Sequence, residues 1–210
     1  MNQRVITPEL LDGLDSGDPD AIRSRRDLRV INQIMRGEQW IVNQLKNMNN
    51  ISKVIELGAG EGTLSRKIQK ARPEVSITAV DLAPRPANFP AEIQWLQQDA
   101  LELDDHYDAS TAIVANLFIH HFDDDVIRTW SKTWTEAGAI LLAEPYRSIR
   151  FVRMGKLMYP FVNHVTRHDM KVSIEAGFQS GDLPILLGDN WLWHEESNMF
   201  GSIRCKGVKR

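Results

Sequence analysis

The sequence predicts an α/β fold in which helices open the chain, a parallel sheet forms its centre and a strand hairpin ends it. Short apolar runs alternate with helical patterns from residue 51 onward. Strands that alternate with helices are typical of a parallel sheet built from βα crossovers. The apolar runs are Ile51 to Leu57, Val75 to Leu82, Ile93 to Leu96, Ala109 to Ala115 and Ala139 to Ala143.

The composition is that of one globular domain with a sizeable core. Hydrophobic residues make up 42% of the 210 and charged residues 25%, which excludes a disordered chain. Lys and Arg number 25 against 28 Asp and Glu, so no overall positive field favours nucleic acid as a partner. The apolar runs are too short to span a bilayer, no secretory signal is recognised, and Cys205 has no partner for a disulfide. We therefore expect a cytoplasmic protein without a transmembrane segment, and Cys205 is expected to be a strand hydrophobe.

The N-terminal region, residues 1–49, is predicted to be a helical cap. Thr7-Pro8 and Asp18-Pro19 each place a capping side chain before a proline, which favours a helix start. From Pro19 to Met48 the apolar residues recur with a helical period. Gly37 is expected to divide this run into two helices.

Two further helices are predicted inside the core region, residues 50–145. Leu64, Ile68 and Ala71 form an apolar stripe that ends before Pro73. Another stripe begins after Asp123-Asp124-Asp125, where carboxylates complement the helix dipole. The triplet lacks the varied spacing of a calcium loop, and we predict no metal ligands.

The remaining chain divides into a basic and aromatic insertion on the substrate side, residues 146–182, and terminal strands, residues 183–210. Trp191 to Arg210 is predicted to form two strands around a turn near Glu196-Ser197-Asn198. The sequence has no internal repeat or low-complexity linker, so we expect one domain over residues 1–210.

The most informative motif is an apolar strand that runs into Gly58-Ala59-Gly60-Glu61-Gly62 and then into a helix. Glycines at such a turn let the backbone approach a nucleotide. The dinucleotide fingerprint requires glycine or alanine where Thr63 stands, and Glu56 and Glu61 would repel a pyrophosphate. S-adenosylmethionine has no phosphate, and its ammonium group suits a carboxylate. The charge pattern therefore favours this cofactor over NAD.

Two more carboxylates follow predicted strands. Asp81 ends the run Ile77 to Val80, about twenty residues beyond the glycines, where a carboxylate accepts the ribose hydroxyls of a nucleotide. Asp99 follows the next strand, in a position to take an adenine amino group. An Asp after a strand is more often a helix or turn cap, but carboxylates after three successive strands all lie at the edge where α/β sheets bind ligands.

Four segments together resemble the successive motifs of class I S-adenosylmethionine-dependent methyltransferases: Val54 to Leu64, Val80 to Leu82, Gln98 to Ala100 and Ala115 to Phe122. The resemblance covers residues 50 to 145. It implies a Rossmann-like, doubly wound, seven-stranded and mostly parallel sheet, to which the terminal hairpin adds antiparallel strands. It also implies the cofactor-binding residues, which are Glu56, Gly58, Gly60, Gly62, Asp81, Leu82, Asp99, Ala100, Asn116 and Leu117.

A narrower resemblance points to the methyl acceptor. Four segments resemble small bacterial methyltransferases encoded beside polyketide synthases: Leu142 to Ser148, Thr166 to Asp169, Ser173-Ile174 and Ala176 to Phe178. Those enzymes are similar to quinone-biosynthesis methyltransferases, which implies a small phenolic or quinoid acceptor. The predicted substrate-side residues are Tyr146, Arg147, Arg167 and His168.

The residues after the fourth strand indicate which atom is methylated. Methyltransferases acting on amide or amino nitrogens commonly have Asn or Asp followed by Pro-Pro and an aromatic residue, whereas Asn116 is followed by Leu117-Phe118-Ile119. A hydroxyl acceptor needs a base, and His120 and His121 stand where the acceptor meets the methyl group. We favour His121, although either histidine can instead bind a backbone carbonyl.

Two other candidates for proton transfer have structural alternatives. Glu144 at the end of the fifth strand can accept a proton or position a hydroxyl, or it can anchor Arg147 or Arg167. His168 with Asp169 is a second catalytic pair by composition, but the run is preferred as a helix cap.

Three interpretations remain open for the segment in which Arg147, Arg150, Arg153 and Lys156 alternate with apolar residues. It is a lid helix over the substrate, a helix resting on anionic lipid, or an ordinary amphipathic helix with a solvated basic face. The predicted function is O-methylation of a small phenolic or quinoid acceptor with a histidine as the base. The alternatives are C-methylation of a quinone precursor and a non-catalytic S-adenosylmethionine-binding module.

Overall fold

The computed structural model describes residues 3–15, 17–103 and 107–210. Within these residues the chain forms one seven-stranded sheet flanked by helices. The strands are β1 Lys53–Leu57, β2 Ser76–Asp81, β3 Gln94–Gln97, β4 Thr111–Asn116, β5 Ala139–Pro145, β6 Trp191–Ser197 and β7 Ser202–Lys209. The α-helices are α1 Pro19–Met35, α2 Gly37–Lys46, α3 Thr63–Ala71, α4 Asp124–Thr133, α5 Ile149–Lys156, α6 His164–Ala176 and α7 Asp182–Leu187.

The strand order is β3-β2-β1-β4-β5-β7-β6. The first five strands in this order pair in parallel, and β7 runs antiparallel to both β5 and β6. The predicted Rossmann-like sheet with a C-terminal antiparallel hairpin is confirmed. The chain moves outward in one direction from β1 and in the other from β4, so the switch point lies between the ends of these strands. Open α/β sheets bind their ligands at this point.

Both faces of the sheet are covered, as parallel sheets require. Helices α2 and α3 pack on one face through Ile41, Leu45 and Ile68, while α4 and α7 cover the other. All seven residues of β5 are buried. Cys205 in β7 is likewise buried, and this burial raises the pKa of its thiol, as suits a strand hydrophobe.

The predicted division of the N-terminal helical run at Gly37 is confirmed. Helix α1 begins after Asp18, whose side chain accepts a hydrogen bond from the amide of Asp20 at 2.7 Å. It ends at Arg36, which has a left-handed φ of 56°. Gly37 opens α2 against the sheet, because a Cβ at this position would lie 2.1 Å from Asn116 Oδ1.

The prediction that Thr7-Pro8 starts a helix is wrong. The only helical turn in this part of the described chain is a 3-10 turn over Leu11–Gly13. Its backbone instead bonds to α6: the amides of Leu10 and Leu11 donate to the Asp169 carboxylate at 2.7 and 3.1 Å. The N-terminal segment is therefore anchored by α6 and not by a cap of its own.

The C-terminal hairpin supports the junction of the two N-terminal helices. Asn198 Nδ2 donates to the carbonyl of Met35 at 2.6 Å, and Arg204 donates to the carbonyls of Met35 and Arg36, each at 3.2 Å. These bonds satisfy carbonyls that the end of α1 leaves free. Among the described residues, no helix combines the length and apolarity needed to cross a bilayer.

Candidate active site

The glycine loop after β1 holds three residues in the left-handed region. Gly58, Gly60 and Gly62 have φ angles of 66°, 55° and 70°, which side chains with a Cβ rarely adopt. A Cβ at Gly58 would lie 2.1 Å from the Phe118 ring, and one at Gly62 would lie 2.2 Å from Phe89. A Cβ at Gly60 would meet no atom within 4 Å. The outer two glycines therefore permit close packing, while Gly60 borders open space that a ligand can enter.

Asp81 lies beside this loop at the end of β2. Its Oδ2 accepts a hydrogen bond from the Gly60 amide at 2.7 Å, and its Oδ1 accepts one from Ala83 at 2.8 Å. The carboxylate is only half-buried, and the next residue, Leu82, is 71% exposed. An acceptor group and an apolar side chain therefore line the same accessible edge.

Asp99 lies close to Asp81 because the amide of Gln98 donates to the Asp81 carbonyl at 3.0 Å. Its side chain caps a 3-10 turn over Ala100–Glu102 by accepting from the Leu101 amide at 2.9 Å. Ala100 is buried. The structure thus combines the capping role with a place at the ligand edge.

Glu56 lies in β1 and is buried. Ser65 Oγ in α3 donates a hydrogen bond to its carboxyl group. Burial raises the pKa of Glu56 to about 8, and the hydrogen bond from Ser65 opposes this rise. Glu56 is therefore largely protonated at neutral pH in this structure.

The backbone after β4 is strained at Leu117. Its φ of 55° is unusual for a residue with a Cβ and costs about 1–3 kcal/mol, which the surrounding structure must supply. The Leu117 amide donates to the carbonyl of Ala143 at 2.8 Å. The turn places the Phe118 ring against Gly58 and leaves Asn116 against Gly37. The loop after β4 therefore contacts the glycine loop directly.

Glu144 organises the 3-10 turn Ile119–His121 that follows. One carboxylate oxygen accepts from the amides of Phe118 and Ile119 at 3.1 and 2.9 Å. The other lies 2.8 Å from Nδ1 of His120. Because the carboxylate can only accept, Nδ1 carries a hydrogen and Nε2 points away from Glu144. Both His120 and Glu144 are buried.

A second carboxylate, that of Glu9, reaches this turn from the N-terminal segment. Glu9 Oε1 lies 3.8 Å from Nε2 of His120, an ion-pair distance too long for a hydrogen bond. Ser173 Oγ in α6 donates to the same oxygen of Glu9. The rings of His120 and His121 are 4.3 Å apart between centroids. Glu9, His120 and His121 thus form one cluster, which we call the Glu9 cluster.

The two histidines of the Glu9 cluster titrate differently. Burial disfavours the charged ring of His120, but the hydrogen bond with Glu144 and the contact with Glu9 outweigh it and raise its pKa to about 9. Burial and the charge of His120 lower the pKa of His121. Burial also works against the charge of Glu9, but His120, His121 and Ser173 lower its pKa overall. At neutral pH the cluster therefore contains a charged His120 and a neutral His121.

Comparison with known proteins agrees with this geometry. Residues 54–137 match the family model for a methyltransferase domain. The plantazolicin methyltransferase BpumL in complex with SAH has a TM-score of 0.72 at 12% identity, covering 92% of this chain and 91% of that one. SAH is the demethylated product of S-adenosylmethionine. Residues 54–137 thus form a methyltransferase domain, and S-adenosylmethionine is its methyl donor.

Two more solved structures share the fold of this methyltransferase. The plantazolicin methyltransferase BamL, in complex with a triazolic desmethylPZN analog and SAH, has a TM-score of 0.69 at 10% identity and covers 92% of each chain. The methyltransferase domain of bacterial CtHen1 has a TM-score of 0.60 at 18% identity, covering 85% of this chain and 99% of that one. No curated protein matches the methyltransferase in sequence.

The residues at the sheet edge fit S-adenosylmethionine. Gly60 borders open space, and Asp81 presents a carboxylate to it, as a ribose requires. Glu61 in the same loop pairs with Arg29 at 2.9 Å, and both side chains are about half exposed. At this edge the methyltransferase therefore has carboxylates that can accept hydrogen bonds from hydroxyl groups. This agrees with a cofactor that has no phosphate.

Two predicted substrate-side residues of the methyltransferase lie next to β5. The Tyr146 ring packs edge-on against Phe151, with centroids 5.7 Å apart. Arg147 is buried, and its guanidinium donates to the carbonyl of Gly177 at 3.0 Å and to Asp182 at 2.7 Å. These bonds hold the start of α7 in place, which gives Arg147 a structural role.

The other two predicted substrate-side residues lie in α6. Arg167 donates to the Val162 carbonyl at 3.2 Å and is exposed. His168 Nδ1 lies 3.0 Å from the Asp169 carboxylate. The preferred interpretation of His168-Asp169 as a helix cap is wrong, because Asn163 caps α6 by accepting from the Thr166 amide at 2.9 Å. Asp169 is buried and holds the N-terminal segment instead.

Sequence reasoning missed Glu9 as a site residue of the methyltransferase. It stands directly after Thr7-Pro8 and resembles an acid in a first helical turn, so its sequence neighbours carry no sign of the site. A groove of about 650 Å³ lies elsewhere, beside α4 and α7, and its lining includes Arg4, Asp124, Arg147 and Asp182. No residue of the glycine loop lines that groove.

Proposed function

We propose that the methyltransferase O-methylates a small phenolic or quinoid acceptor. The observation that carries this proposal is the place of His121, a neutral imidazole in the turn after β4. The loop that leads to this turn contacts the glycine loop through Phe118 and Gly58. An acceptor bound at the turn would therefore meet the cofactor at the switch point of the sheet.

Electrostatic interactions connect the Glu9 cluster with the sheet edge that carries Gly60 and Asp81, which we call the cofactor edge. The pKa of Asp12 is raised by desolvation of its carboxyl group and by the charges of Glu9 and Asp169. Asp81 raises it further, whereas His120 lowers it. Asp12 therefore lies within electrostatic reach of both the Glu9 cluster and the residue proposed to hold the ribose.

The residues of the chain divide the work of deprotonation. His121 accepts the proton of the acceptor hydroxyl, and the carboxylate of Glu9 stabilises the imidazolium that results. His120, held by Glu144, keeps the turn in place. Burial and the positive charge of His120 keep the pKa of His121 low, so that His121 is neutral beforehand. When bound, S-adenosylmethionine supplies the methyl group on a sulfonium, an electrophile that a phenolate attacks far better than a phenol. Orientation of the two reactants contributes much of the rate.

In this proposal the insertion over residues 146–182 binds the methyl acceptor. Leu157 and Phe161 follow α5 and are each 73% exposed, which gives an aromatic acceptor an apolar surface. The absence of a Pro-Pro pair after Asn116 argues against nitrogen acceptors, and the net charge of −3 argues against nucleic acid. A cytoplasmic location stays a prediction, and it agrees with the free thiol of Cys205.

Release of SAH from S-adenosylmethionine, measured over a panel of phenols, hydroquinones and matched anilines, tests the proposal. We expect turnover with the hydroxyl compounds and none with the anilines. Transfer of a ¹³C-labelled methyl group then separates O- from C-methylation by the chemical shift of the product methyl. Tight cofactor binding without turnover on any acceptor would favour the non-catalytic binding module instead.

A further inference from the structure

We propose that Glu9, His120 and His121 bind a single divalent transition-metal ion of the Zn²⁺ class, and that the bound ion blocks proton transfer by His121. The binding half of this inference concerns the Glu9 cluster alone. The blocking half rests on the proposed function.

The geometry of the Glu9 cluster suits one small ion. Each of the three side chains offers one ligand atom, and these atoms lie within 4.8 Å of one another. Two ligands about 2.1 Å from a tetrahedral zinc are about 3.4 Å apart. Nε2 of His120 and Oε1 of Glu9 are 3.8 Å apart, so small side-chain rotations bring both to bonding distance.

One ligand atom of the cluster lacks a partner. Nε2 of His120 is buried and makes no hydrogen bond with any described residue. Buried polar atoms are nearly always paired, so an unpaired one calls for an explanation. It points toward Glu9, and a metal ion between the two side chains would satisfy it. A proton on Nε2, held as an ion pair with Glu9, is the competing occupant.

The residues behind the ligands are arranged as in metal sites. Metal-binding histidines usually donate their other ring N–H to a carboxylate, which orients the ring and makes it a stronger ligand. Glu144 accepts from Nδ1 of His120 at 2.8 Å in this way. Ser173 likewise donates to the Glu9 carboxylate, and Ser173 and Glu9 come from segments far apart in the chain.

The ligand types select the ion. Two imidazoles and one carboxylate suit zinc and related transition metals, whereas magnesium and calcium prefer oxygen ligands. Three protein ligands leave a coordination position for water. A metal bound to His121 occupies the lone pair with which this residue would accept a proton, so the metal-bound protein lacks its base.

Calorimetric titration of the chelator-treated protein with ZnCl₂ tests the binding half. We expect one equivalent to bind, and no binding of MgCl₂. Glu9→Gln should weaken binding by more than tenfold, since it removes a ligand, and Ser173→Ala should weaken it about 10- to 100-fold, since it removes a supporting hydrogen bond. X-ray absorption of the zinc complex should show mixed nitrogen and oxygen ligands.

The matched control is the double variant His164→Gln/Glu175→Gln, which removes a histidine and a glutamate of α6 from outside the Glu9 cluster. It should bind zinc as the parent does. Thermal unfolding and S-adenosylmethionine affinity verify that each variant is folded. If the folded Glu9→Gln and Ser173→Ala variants bind zinc as tightly as the parent, or if the parent binds none, the site does not exist.

Methyl transfer to a phenol tests the blocking half. One equivalent of zinc should inhibit turnover, and a chelator should restore it. Faster turnover with zinc would overturn the blocking half. If no phenol is methylated with or without metal, the proposed function fails, while the calorimetric result still decides the metal site.

Discussion

Glu144 Oε2 lies 2.8 Å from Nδ1 of His120, so a buried carboxylate in β5 fixes the ring that follows β4. The other oxygen of Glu144 accepts from two backbone amides of the same turn. Glu144 is thus the support of the turn, and His121 is the residue that remains for chemistry. The sequence predicted that Glu144 and His121 lie at one edge of the sheet, but it did not predict that they have these different roles.

Removing the charge of Glu144 should therefore destabilise the fold. Glu144→Gln keeps the size but exchanges one acceptor oxygen for a donor that faces an N–H group, at a cost of about 1–3 kcal/mol. Urea unfolding measures the free energy, with Glu136→Gln as an exposed control that loses only the ion pair with Lys209. Equal unfolding free energies for Glu144→Gln and the parent would refute the supporting role.

Asp81 should determine cofactor affinity. Asp81→Ala removes a carboxylate proposed to accept ribose hydroxyls and should weaken S-adenosylmethionine binding by about tenfold to a hundredfold, or roughly 1.5 to 3 kcal/mol. Because Asp81 also accepts from Gly60, part of this loss reflects a looser glycine loop. Calorimetry checks it, with Asp108→Ala as a control beyond the cofactor edge and NAD as a ligand that should not bind. Unchanged affinity in Asp81→Ala would contradict the assignment.

Much of the fold follows from local pattern. The apolar runs predicted β1, β2, β4 and β5 because these strands are largely buried on both faces. The short run that predicted β3 marks a strand that is only partly buried. Gly37 was predicted as a helix break from its residue type alone, whereas the close approach of Asn116, which requires glycine at this position, depends on the sheet. The edge of the sheet at which we expect the cofactor was also predictable from local pattern, because parallel strands bring their carboxyl ends together.

The acceptor side was less predictable because long-range contacts build it. Glu9 lies near His120 in a segment that long-range bonds hold in place, among them those to Asp169 and Ser173 of α6. Rules that consider only neighbours in sequence predict helix caps at Thr7-Pro8 and at His168-Asp169. Leu117 shows the same limit, because its left-handed backbone stands next to a long-range contact, the packing of Phe118 against Gly58.

The buried carboxyl group of Glu56 should make stability depend on pH. Its folded-state pKa of about 8 lies above the ordinary value of 4.5, so the folded protein binds the extra proton. This contribution to stability is fully present below pH 4.5 and is lost as the pH rises through about 8. Glu56→Gln should flatten the fall in unfolding free energy over this range, while Glu61→Gln in the exposed part of the loop should not. The same slope in Glu56→Gln and the parent would exclude Glu56 as its cause.

The exposed apolar residues after α5 should affect the acceptor and not the cofactor. Leu157→Ser with Phe161→Ser removes apolar surface that we assign to acceptor binding, so the KM for a phenol should rise while S-adenosylmethionine affinity stays the same. Ile185→Ser, equally exposed on α7, is the control. If instead the parent binds vesicles of anionic lipid and Arg150→Glu/Arg153→Glu abolishes this binding, the segment belongs to a membrane surface.

Replacement of His121 tests the proposed base most directly. His121→Asn keeps a polar side chain of similar size but removes the proton acceptor, and should lower turnover about 10²- to 10⁴-fold with unchanged cofactor affinity. The loss should be smaller for an acceptor already ionised at neutral pH. Because burial and the charge of His120 lower the pKa of His121, turnover should be full at pH 7 and fall only below its ordinary value of 6.5.

His164→Asn serves as the control for this experiment, since His164 is an exposed histidine on α6. His120→Asn should lower both stability and activity, because it removes the imidazole that hydrogen-bonds to Glu144. An active His121→Asn beside a folded but inactive His120→Asn would assign the base to the neighbouring ring. Full activity of both would mean that positioning alone drives the reaction, as it can when the acceptor reaches the site as a phenolate.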